Sequence, residues 1–228
     1  MTRGFPRRLL CVIVSATAFS TLFAAGEAEN FDPTEFSTGD FHGCGTNGQG
    51  SDPYLNSLKN RDLAPTKGKI YSVTQLLNTL PTTLPRKKAH RDKWTTAQRD
   101  AAAKWESRAV MVEGYLIHDV VKEAEEACNC GSDEYVDHHL WLAPTPGSVR
   151  TRAMVVEVSP RLWPAHPSWS NRATFKGIIN DKKKVRVAGW LIWDQEHEEQ
   201  IGKTRKTLWE VHPIHTIQVK FGNKWVDL

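Results

Sequence analysis

Beyond Arg108 the chain alternates. Val110, Val112, Gly114 and Leu116 interleave with Met111, Glu113, Tyr115 and Ile117, the period-two pattern of a strand with one buried face. The same pattern predicts further strands over Val136–Ala143, Arg152–Val158, Val185–Asp194 and Thr207–Val219, the last interrupted at Pro213, which has no N–H to give a ladder. A short helical segment fits between Ser168 and Ile179, so the order is β-β-β-α-β-β. Ahead of this region, residues 29–69 show no period, and Gly39, Gly43, Gly45, Gly48 and Gly50 crowd one loop-like stretch. Two capping boxes follow. Ser72 to Gln75 opens a helix over about Val73–Thr79 that Pro81 stops, and Thr95 to Gln98 opens another running to about Glu106. The basic run Arg86, Lys87, Lys88, Arg91 and Lys93 between them reads as a solvated face or linker.

One internal similarity sharpens the fold. Val110-x-Val112-x-Gly114-Tyr115-Leu116-Ile117-x-Asp119 recurs as Val185-x-Val187-x-Gly189-Trp190-Leu191-Ile192-x-Asp194. Glycine inside a strand is tolerated where the strand bends sharply, and a small closed barrel needs such bends. The element order and paired glycines resemble the OB fold, a five-stranded Greek-key barrel. That resemblance implies a mainly β chain: an OB-like barrel over 108–228 with a short helix between its third and fourth strands. The barrel would be preceded by a loop-rich extension over 29–107 with one or two short helices. The phrases Lys59-Asn60-Arg61, Cys128-Asn129-Cys130, His139-Leu140-Trp141-Leu142 and Trp209-Glu210-Val211-His212-Pro213 also resemble a group of secreted bacterial proteins. That likeness implies fold and export and carries no activity.

Residues 1–28 read as an export signal. Arg3, Arg7 and Arg8 precede an apolar run from Leu9 to Ala25, with small residues at Ala24, Gly26 and Ala28. The expected location is secreted or periplasmic, with no membrane span left after cleavage. The chain has 228 residues and a net charge of +4, and loss of Arg3, Arg7, Arg8 and Glu27 lowers that charge by two, so basicity says little about partners. Cys44, Cys128 and Cys130 remain, and an oxidising compartment favours a disulfide from Cys44 to either Cys128 or Cys130. A metal site on Cys128, Cys130 and His138 or His139 lacks the usual zinc spacing.

Strand parity nominates the chemistry. Val136, His138, Leu140 and Leu142 share a core face, with His138 a core histidine, while Asp137, His139 and Trp141 share the opposite, outer face. Tyr115, Ile117 and Asp119, then Trp190, Ile192 and Asp194, and finally Glu210 and His212 fall on that outer face too. The predicted ligand-binding set is therefore Asp119, Asp137, His139, Trp141, Trp190, Asp194, Glu210 and His212, in the cleft between the loops joining strands one to two and four to five. Asp137, His139 and His212 are the candidate ligands for a divalent cation, since carboxylates with imidazoles suit such ions. Between Asp119 and Asp137 seven acids face Lys122 alone, which disfavours bare nucleic acid and favours a cation or a small polar ligand such as a saccharide. No Gly-x-Ser-x-Gly elbow occurs, and Gly202-Lys203-Thr204 has His197 where a phosphate loop needs its first glycine. The expected function is an exported binding module for a small ligand. The alternatives are a metal-dependent hydrolase of the phosphodiesterase or nuclease class using the outer Asp, His and Glu set, and a structural protein of the cell envelope with an envelope protein as its partner.

Overall fold

Both capping boxes form, and each opens a helix. In the computed structural model, which describes residues 31–65, 68–86 and 90–228, the Ser72 and Thr95 side chains accept from the backbone N–H groups of Gln75 and Gln98, and both glutamines reach back. The expected export signal lies outside the described residues. In chain order the elements are α1 (Pro53–Lys59), β1 (Lys69–Ser72), α2 (Val73–Thr79), α3 (Thr96–Glu106), β2 (Ala109–Glu123), β3 (Asp137–Ala143), β4 (Met154–Val158), α4 (Arg172–Asn180), β5 (Lys184–Trp193), β6 (Trp209–Phe221) and β7 (Lys224–Asp227). The chain is mainly β. No helix among the described residues is long and apolar enough to cross a membrane.

Five strands close into a ring in the order β2-β3-β4-β6-β5 and back to β2. The length of β2 makes the closure possible. Its first half pairs with β5 (Val112 opposite Val187), and its second half pairs with β3 (Leu116 opposite Leu142). The β4–β6 contact is parallel and the other ring contacts are antiparallel. Short β1 adds to β2 in parallel, and β7 folds back on β6. Val110, Val112, Leu116, Leu140, Leu142, Val156, Val187, Leu191 and Val211 point inward and form the main core, closed at one side by Phe175 and Ile178 of α4. His138 is buried there against Trp163 and Phe175, and burial holds it down at about 4, neutral at ordinary pH.

The twin glycines lie on paired strands, and close approach, with no need for unusual dihedrals, explains them. A Cβ on Gly189 would stand 2.2 Å from the Pro213 carbonyl oxygen, and one on Gly114 would stand 2.7 Å from that of Ala143. Several expectations need correction. Pro213 does not interrupt the last strand, because β6 runs through it and the register shifts beside Gly189 instead. Residues 29–69 hold the capped helix α1, and neither β1 nor β7 was expected. Arg91 of the basic run is buried: its guanidinium donates to both carboxylate oxygens of Glu106, at 2.9 and 2.6 Å, and to the Trp193 carbonyl.

Candidate metal centre

Cross-strand register assembles the site. His139 lies opposite Glu157, Glu123 lies opposite Asp137, and Val155, two residues before Glu157, lies opposite Glu210, two residues before His212. Directly opposed residues on one face come within reach of each other's side chains, so this register gathers carboxylates and imidazoles on the outer face of β3, β4 and β6. His139 Nδ1 is 2.7 Å from Glu123 Oε1 and 3.3 Å from Glu157 Oε1. His212 Nδ1 is 3.1 Å from Glu157 Oε2, and its Nε2 is 3.8 Å from Asp137 Oδ2. Glu157 thus stands between both histidines. Glu210 is bound on its other side by Arg205.

The outer face is not open, as parity alone implied. Asp137, His139, Trp141, Trp190, Asp194, Glu210 and His212 are all buried, and only Asp119 is exposed, 4.0 Å from Lys176 and apart from the rest. The cover comes from the residues ahead of the ring and from the two loops expected to frame a cleft. Lys59 reaches Glu126 of one loop at 3.1 Å and Asp194, at the start of the other, at 3.7 Å. Asn60 donates to the Cys128 carbonyl at 2.8 Å, and Arg61 donates to the carbonyls of Leu58, Glu106 and Leu191 while lying over the Trp190 ring. Asn129 donates to Asp137 at 3.0 Å. A Cys44–Cys130 disulfide, one of the two expected pairings, ties the cover to the β2–β3 loop. Cys128 is a buried free thiol that burial and then Asp137 push well up, so it is protonated.

Electrostatics in this layer follow from crowding of acids away from water. Burial alone would lower His212, but Glu157 and Asp137 outweigh it and raise it to about 10. Burial opposes the charge on His139 likewise, and Glu123 and Glu157 lift it to about 9. Burial raises Asp137 to about 7 against the pull of His212. Glu157 is held well down by His212 and His139 despite its burial. Asp194, next to Lys59 and His197, is held low in the same manner.

Hydrogen bonding leaves this layer incomplete. Beyond the His212 Nδ1–Glu157 Oε2 ion pair, Asp137 Oδ1, Glu210 Oε2, His139 Nε2 and His212 Nε2 are buried without a hydrogen-bond partner among the described residues. Ligand atoms of Asp137, Glu157 and His212 lie within 4.8 Å of one another, as do those of Glu123, His139 and Glu157. Both trios include Glu157. Further trios, Glu126 with Cys128 and Asp137 and Asp194 with His197 and Glu210, flank them.

Of the residues nominated from sequence, Asp137, His139 and His212 therefore meet, with Glu210 adjacent, and Asp194 belongs to the flanking trio. Trp141 walls the layer, its ring 4.5 Å from that of His139 and its Nε1 donating to the Thr204 carbonyl. Trp190 packs under Arg61 and Phe36 as structural surface. The sequence places Asp194-x-Glu196-His197 as metal-compatible groups at the loop entrance, and His197 does join Asp194 in a flanking trio; sequence reading missed Glu157, Glu123, Lys59 and Arg205 as members of the layer. Glu157 had a signal: it is the one charged residue in β4. Lys59 reaches the layer from the end of α1, far away in sequence, and Arg205 from the β5–β6 loop; neither had a signal in the strand pattern. No family model, curated protein or solved structure matches this chain.

Proposed function

We propose that this protein is an exported binding module on an OB-like barrel, and that its buried histidine–carboxylate layer holds a divalent cation. The ring order, its one parallel contact and the helix between β4 and β5 support the barrel. The Cys44–Cys130 disulfide supports an oxidising compartment. The observation that carries the cation is Glu157 between two buried histidines, surrounded by ligand atoms that hydrogen bonds leave unused. Buried polar atoms without partners cost roughly 1–3 kcal/mol each. A cation held by Asp137, Glu157 and one nitrogen of His212, with the His139 and Glu123 trio adjoining through Glu157, would give several of them a partner. Mixed imidazole and carboxylate ligands suit zinc, manganese or ferrous iron.

Burial argues for binding over hydrolysis. A catalytic metal keeps a coordination position open to substrate, and every ligand here is buried except Glu123, whose side chain is 16% exposed. Elemental analysis of the full chain exported by its native host is the test. The expected result is a bound divalent metal near one per chain, lost in His212→Gln and retained in Asp119→Asn. Metal-free protein whose melting ignores both added divalent ions and chelator would overturn the reading.

A further inference from the structure

A second feature lies near Trp141, whose ring meets His139 of the buried layer and Arg150 of a groove. A cavity of about 600 Å³ opens between the β2 bulge at His118, the 146–151 loop, the end of α4 and Lys203. Its lining includes Arg150, Lys182 and Lys203 and contains no acidic residue. None of the three cations has a carboxylate within ion-pair distance among the described residues, in contrast to Lys176, which meets Asp119 nearby. Arg150 is held in place by the Trp141 ring, with its guanidinium carbon 5.0 Å from the ring centroid. Stacking of this kind fixes a guanidinium without neutralising it. The remainder of the wall is mixed: His118, Ser148, Thr151 and Asn180 are polar, and Ile117, Ile179 and Val149 give an apolar side, Val149 being 61% exposed to solvent.

We propose that this groove binds an organic phosphate monoester, its phosphate on Arg150, Lys182 and Lys203 and its apolar body against Ile117, Val149 and Ile179. Like charges gathered around one concavity repel and raise the local concentration of anions. A phosphate carries about −1.5 to −2 charges at neutral pH and three strong acceptor oxygens, which matches three unpaired cations better than a single carboxylate does. Exposed Val149, with the edges of core-packed Ile117 and Ile179 beside the cluster, favours an ester with a hydrocarbon portion over the bare ion. The inference stands apart from the cation proposal, because no residue of the groove belongs to the buried trios.

Calorimetric titration of the full mature chain with hexyl phosphate, inorganic phosphate and hexanol tests it. Hexyl phosphate should bind one per chain, at least tenfold more tightly than either control, and weaken as salt is added. Arg150→Gln, Lys182→Gln and Lys203→Gln together should reduce that affinity at least tenfold while melting temperature and bound metal stay unchanged. Should the triple variant fail to fold, Lys182→Glu and Lys203→Glu singly, both at exposed positions, should each reduce it at least threefold. Binding unaffected by these substitutions, or hexyl phosphate no tighter than its controls, would overturn the proposal.

Discussion

Glu157 occupies the centre of the charged layer, with one oxygen toward His139 and the other toward His212. Glu157→Gln keeps the shape and removes the charge, so both imidazoles lose a carboxylate partner in a place water does not reach. Removing one member of a buried charged pair costs about 3–5 kcal/mol. The variant is expected to lose that order of stability in urea unfolding with chelator present, and to lose at least tenfold in divalent-ion affinity without chelator. Glycine gives a second contrast at the same scale. Gly189→Ala drives a methyl into the Pro213 carbonyl and is expected to lower stability by about 1–3 kcal/mol. Gly177→Ala, in α4 with open space around it, is expected to raise stability by about 0.5–1 kcal/mol, both read from melting curves. The glycine pair was legible in sequence as a place where strands are constrained. Its cause, a carbonyl from a third strand segment, was not, because nothing local to Gly189 announces Pro213.

Elements were legible where their signal is local and missed where it is not. The boxes at Ser72 and Thr95 need only four residues each, and both read correctly. The long alternation of β2 and β5 likewise survives any reading frame. Four-residue β1 and β7 exist only because β2 and β6 present free edges to them, and no period can show in so short a run. Alternation also sorted Asp137, His139 and His212 onto one face. Parity says which side a residue takes and nothing about what lies on that side, so their burial stayed hidden. That cover depends on a cross-link. Cys44 and Cys130 are 86 positions apart, and closing a loop of that size restrains the unfolded chain by about 4.6 kcal/mol in the chain-entropy account. Cys44→Ser with Cys130→Ser is expected to lose about 2–4 kcal/mol in denaturant unfolding, a loss that reducing agent reproduces in the parent protein.

For the whole molecule, part of the pH sensitivity follows from His215, which like His138 is lowered by burial outside the charged layer. Burial lowers His215 to about 4, and its Nε2 lies 3.0 Å from the Arg61 carbonyl oxygen. The folded chain therefore binds fewer protons than the unfolded chain between that value and the ordinary 6.5. The stability this supplies is fully present above about pH 6.5 and is lost as pH falls toward 4, at up to about 1.4 kcal/mol per pH unit. His215→Gln is expected to flatten the urea midpoint between pH 6.5 and 4.5 relative to the parent, and an unchanged slope would contradict the assignment.

Lys59, Asn60 and Arg61 seal the acids and imidazoles from a part of the chain that precedes the ring, and a covalent tether keeps that seal shut. The proposed ion, seated below it, is expected to leave chiefly through partial unfolding. Isotope exchange into the folded protein should then be as slow as amide deuteration of α1, and reduction of the tether should quicken both together. Loading would belong to the moment of folding, and the ion would stay for the life of the molecule.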